Sequence, residues 1–163
     1  VGDHDLARLS IGRAISLLEA TEDTVYLGRA HLLAAEIATA DGDLPAAQGH
    51  LAEADEFVDA SSEMTDRAWL KMQQALLLAR AGEAAEAIDT ATEAIELLAG
   101  EDDENMRGCG FWALGEALAA AGAERAARKA FRDASALIPD GSRWAQPFIE
   151  AWSKLYPADV GVR

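Results

Sequence analysis

The stretch FWALGEALAAAGAERAARKAFRDASALIP, residues 111–139, decides the fold. It contains two alanine-rich runs on either side of Gly122. In the second run Ala127, Phe131 and Ala134 stand four and three residues apart, which places them on one helical face. Small side chains flanking a large one let two helix backbones come close while the large one fills the gap. A glycine between two such runs ends the first helix and turns the chain into the second.

The same arrangement recurs along the chain with a period of 40. Gly2, Gly42, Gly82 and Gly122 mark the turns; Ala7, Ala47, Ala87 and Ala127 follow five residues on. Ile11, Leu51, Ala91 and Phe131 occupy the central place of the face, and Ala14, Ala54, Ala94 and Ala134 its far side. A repeat of this length indicates stacked helical hairpins. The pattern predicts helices near 4–19, 23–40, 44–59, 63–81, 84–99, 104–121 and 124–137. A terminal helix near 142–155 presents Trp144, Phe148, Ala151 and Leu155 to the last hairpin as a cap. Pro45 falls in the first turn of a predicted helix, where a missing N–H is tolerated, and Pro147 is the one proline toward a predicted helix centre. The chain opens at Val1-Gly2, already at a turn, which is the expectation for a piece of a longer protein.

Composition narrows the possible partners. Half of the 163 residues are apolar, enough for a continuous core in a single domain spanning 1–163. With 14 Lys+Arg against 29 Asp+Glu, the net charge of −15 repels nucleic acid and anionic membrane surfaces. No run approaches the roughly 18 apolar residues that cross a bilayer. A lone cysteine, Cys109, forms no internal disulfide, which fits a reducing compartment, and the cytoplasm is the expected location.

Phe111, Leu114-Gly115, Leu118, Gly122, Ala127, Phe131, Ala134 and Pro139 closely resemble the tetratricopeptide consensus, W-x2-L-G-x2-Y, A-x3-F, P. The resemblance covers residues 27 to 139, with 4 to 19 as the second helix of an earlier hairpin. The two middle units depart from it. Ala34-Ala35 and Gln74-Ala75 replace Leu-Gly, and His31 and Lys71 take the aromatic place. It implies an all-α, right-handed superhelical solenoid: a half repeat (1–20), hairpins at 23–59, 63–99 and 104–139, and a capping helix at 142–156.

In that family the first helix of each hairpin lines a concave surface. The resemblance therefore puts Arg29, Leu32, Glu36, Trp69, Met72, Leu76, Arg80, Cys109, Trp112 and Glu116 along a groove, with Trp69 and Trp112 as the large anchors. The alternative for both tryptophans is burial between neighbouring helices. Leu32, Met72 and Trp112 stand where a carboxylate clamp would need basic or amide groups, which disfavours chaperone-tail binding.

No catalytic constellation emerges. Gly108-Cys109-Gly110 has no preceding strand and no closing Lys-Ser/Thr; it reads as helix with close backbone contact. Cys109 has no motif supplying a base, His4, His31 and His50 are dispersed, and Asp41-Gly42-Asp43 lacks the rest of a calcium loop. The basic residues Arg125, Arg128, Lys129 and Arg132 read as a solvated face with local ion pairs. The expectation is a non-catalytic scaffold for a protein or peptide, needing neither cofactor nor metal. The long period also resembles repeats attached to bacterial transcription regulators and peptide sensors. That implies an alternative role as a sensory or dimerisation region, two copies pairing as a homodimer, with DNA-binding helices before residue 1.

Overall fold

The computed structural model describes residues 3–61 and 63–159. Among these, eight α-helices and no strands occur: α1 (Asp3–Thr21), α2 (Thr24–Ala40), α3 (Leu44–Ser61), α4 (Met64–Ala81), α5 (Ala84–Leu97), α6 (Glu104–Ala120), α7 (Glu124–Leu137) and α8 (Ala145–Leu155). Of the four periodic glycines, Gly2 lies outside the described residues. Gly42, Gly82 and Gly122 adopt φ of +78°, +87° and +73°, the left-handed region that a side chain disfavours. After each, the next amide reaches back to a carbonyl five residues earlier: Asp43 to Ala38, Glu83 to Leu78 and Ala123 to Leu118, each at 2.9 Å. These bonds satisfy carbonyls left open at the helix end. Between α1 and α2 the same turn is made by a non-glycine, Glu22, at φ 55°.

The predicted face is the buried face. Ala47, Leu51, Ala54 and Val58 of α3 are all buried, as are Ala87, Ala91 and Ala94 of α5 and Ala127, Phe131 and Ala134 of α7. Their counterparts in α1, Ala7, Ile11 and Ala14, are only half-buried. Each helix from α1 to α6 packs against the next. A second set of contacts joins α2 to α4, α4 to α6 and α6 to α8, so the even-numbered helices form a row of their own.

Close approach explains the glycines of α6. A Cβ on Gly108 would stand 2.8 Å from Ile138 Cγ1, one on Gly110 2.9 Å from Ile95 Cγ1, and one on Gly115 2.9 Å from the Phe131 ring. The third hairpin thus pairs the largest central residue with the smallest opposing one. Asp103, within the acidic run Glu101-Asp102-Asp103-Glu104, caps α6 by accepting from the Met106 amide at 2.8 Å.

The last helix departs from expectation in two ways. It begins at Ala145, not near 142, so Pro147 falls in the first turn, where its missing N–H leaves no bond unmade. The buried stripe is Trp144, Phe148, Trp152 and Tyr156. Phe148, Trp152 and Tyr156 all pack on Phe131, with ring centroids 5.9–6.1 Å apart. Ala151 is half-buried and Leu155 is exposed. An apolar stripe made of rings four residues apart wins over the four-three spacing because the rings remove more surface from water.

Candidate functional site

Four helices of the even-numbered row enclose a cleft of about 830 Å³. Its walls come from α2 (Glu36, Ile37, Thr39, Ala40), α4 (Gln73, Leu76, Ala79, Arg80), α6 (Trp112, Glu116, Ala119, Ala120) and α8 (Pro147, Glu150, Ala151, Lys154, Leu155), with Ala7 of α1 and Gly42 and Leu44 at the rim. The final residues of α2, α6 and α8 and the last turn of α4 all face this space.

Five expected groove residues meet here: Glu36, Leu76, Arg80, Trp112 and Glu116. The Trp112 indole N–H donates to Glu116 Oε1 at 2.7 Å. Arg80 donates through Nη1 to the Thr39 carbonyl at 2.5 Å, and its Nε lies 3.6 Å from Glu116 Oε2. Glu36 accepts from the Trp144 indole at 3.3 Å and from Gln73 Nε2 at 3.4 Å, with Arg143 at 3.7 Å. Burial raises the Glu36 carboxyl above its ordinary range, against the opposing pull of Arg143 and the Trp144 bond.

The other five are elsewhere. Leu32, Met72 and Cys109 are 0%, 1% and 0% exposed, packed into the core, with no surface to offer a partner. Burial, then the nearby Glu36, pushes the Cys109 thiol up, so it stays protonated. Trp69 is buried against Trp144, edge to face with centroids 6.2 Å apart. The Arg143 guanidinium lies over both rings, 4.5 Å from Trp69 and 4.2 Å from Trp144. Arg29 pairs with Asp66 at 2.9 Å and also with Glu63. Trp69 and Arg29 border a shallower apolar hollow of about 470 Å³ with Leu17, Leu18 and Tyr26.

What the sequence reading missed is α8 as a wall of the cleft. Its rings pack on Phe131 and Trp112 of the last hairpin, and its N-terminal approach also reaches Glu36 of α2, 108 residues away in sequence. The aromatic spacing 144, 148, 152 and 156 signals a deeply seated helix, but nothing local shows where it seats. A second missed feature is the juxtaposition of His31 and His50, whose Nδ1 atoms are 3.2 Å apart across the α2–α3 hairpin. Among the described residues no three His, Cys, Asp or Glu side chains gather as a metal site, and no helix is long and apolar enough to cross a membrane.

The chain matches no protein-family model, no curated protein and no solved structure.

Proposed function

We infer that the chain is a non-catalytic binding module of tetratricopeptide-like hairpins that holds a peptide segment of a partner protein in the cleft between its even-numbered helices. The observation that carries this reading is the cleft itself. About 830 Å³ of largely apolar space is open along the row of helices that the repeat register marks as concave. Leu76, Ala79, Ala119, Ala151 and Leu155 supply the apolar wall, and Glu36, Arg80 and Glu116 supply fixed polar groups.

The test is selection from a random 12-residue peptide library displayed on phage, run in parallel on the wild type and on Ala120→Trp. Ala120 is exposed at the cleft, so the indole fills the space without entering the core. Peptides that bind the wild type and lose the variant support the reading. Peptides that hold both equally, or no enrichment, contradict it.

A second reading, the dimerisation region of a transcription regulator, draws on α1. Leu6, Leu9 and Leu17 are 56%, 60% and 68% exposed there. Light scattering decides it: a dimer that becomes monomeric in Leu9→Ser/Leu17→Ser supports pairing through α1, and a wild-type monomer contradicts it.

A further inference from the structure

Resting on the peptide-binding reading, we propose that the occupant of the cleft is a basic segment, with leucine-like side chains on the apolar wall and lysine or arginine toward its helix ends. Three features of different kinds point to positive charge.

The first is the convergence of helix C-terminal ends. Thr39 and Ala40 of α2, Ala79 and Arg80 of α4, Ala119 and Ala120 of α6, and Lys154 and Leu155 of α8 all border the space. Each helix end is the negative pole of its backbone dipoles; the amides of Gly42, Gly82 and Gly122 take up part of that charge at the Thr39, Ala79 and Ala119 carbonyls, and the remainder makes the shared space favour cations over anions. Arg80 already illustrates the preference, since its guanidinium sits on the Thr39 carbonyl at 2.5 Å.

The second is the set of side-chain charges. Among the lining residues Glu36, Glu116 and Glu150 outnumber Arg80 and Lys154; Arg80 is shared between Thr39 and Glu116, Arg143 faces Glu36, and Glu150 meets only the neutral Gln146. The third is the whole molecule, whose charge of −15 steers cations toward it and anions away. Beside Glu36 the chain supplies its own example. Arg143 lies over two indoles with the Glu36 carboxylate at 3.7 Å, which is how an acidic, aromatic-walled groove holds a guanidinium.

Three fluorescein-labelled 12-residue peptides with identical leucines and with Lys, Gln or Glu at the remaining places test the proposal by anisotropy. The lysine peptide is expected to bind the wild type at least about tenfold more tightly than the glutamate peptide, and less tightly as salt rises. Glu116→Gln/Glu150→Gln should weaken it by about fivefold or more. Glu86→Gln/Asp89→Asn on α5, the same change in net charge at exposed positions away from the cleft, should change it by less than about twofold. Ala120→Trp should abolish it.

Equal weakening by both double variants would mean attraction by the molecule as a whole and would overturn the proposal. If the glutamine or glutamate peptide binds better and Ala120→Trp removes that binding, the cleft binds peptides of another charge; this inference fails while the peptide-binding reading stands. If Ala120→Trp alters the binding of none of the three, both fail.

Discussion

Gly115 and Phe131 show how one residue choice constrains another. The equivalent pairs in the repeat are Ala35 with Leu51 and Ala75 with Ala91, so the bulkiest central residue faces the one place with no Cβ. A Cβ at Gly115 would lie 2.9 Å from the ring. Gly115→Ala should therefore lower stability by about 1–3 kcal/mol, despite the better helix propensity of alanine. Phe131→Leu should relieve part of that loss, and urea unfolding of the two single variants and the double variant measures the coupling. Phe131→Ala alone, which removes a fully buried ring, should cost about 3–5 kcal/mol. Glu22 is the opposite case. It holds a left-handed turn that glycine makes elsewhere, so Glu22→Gly should stabilise by about 0.5–1 kcal/mol, and an unchanged or lower denaturation midpoint would contradict this.

His31 adds a pH term. It is buried, stacked on Phe57 and beside His50, and burial followed by the His50 charge lowers its pKa below the ordinary 6.5. Glu53 and Glu19 oppose the shift. Because the folded form holds its proton less tightly than the unfolded form, the stabilisation is complete above 6.5 and is lost as pH falls toward the folded value. Melting curves between about pH 7.5 and 5.5 should fall more steeply for the wild type than for His31→Gln. Parallel curves would assign the acid sensitivity to other groups.

At the scale of elements, α8 is fixed by rings and the α1 end is not enclosed. Phe148 is fully buried between Trp112, Phe131 and Trp152. Phe148→Ala should cost about 3–5 kcal/mol and shift tryptophan emission to the red as the α8 stripe loosens. A stability loss without an emission change would mean that α8 stays docked. The repeat made helices α1 to α7 legible, because glycines at a fixed period and small-large-small faces are local patterns. The seat of α8 was not legible. Its contact from Trp144 to Glu36 joins residues 108 apart and depends on how the even-numbered row leaves room. For the same reason Leu32, Met72 and Cys109 were expected at a surface and are core. Register placed them on the correct helices, but whether a face meets solvent depends on what folds over it.

For the whole molecule, Arg128 and Lys129 of the basic face on α7 are neutralised at home. Arg128 pairs with Glu124 at 2.8 Å and Asp159 at 2.5 Å and lies over Tyr156, and Lys129 pairs with Asp133 at 2.6 Å. The surplus of acid elsewhere gives the chain a field that draws in cations, and the four helix ends concentrate that field at the cleft. Two-dimensional ¹H–¹⁵N spectra, in which each of the four tryptophans gives its own indole signal, follow occupancy of the cleft directly. Titration with the leucine-lysine peptide should move the Trp112 indole signal, whose N–H bonds Glu116 in the cleft wall, and leave that of Trp152, buried among Phe131 and Phe148, in place. A Trp112 signal that stays fixed at saturating peptide would contradict the account.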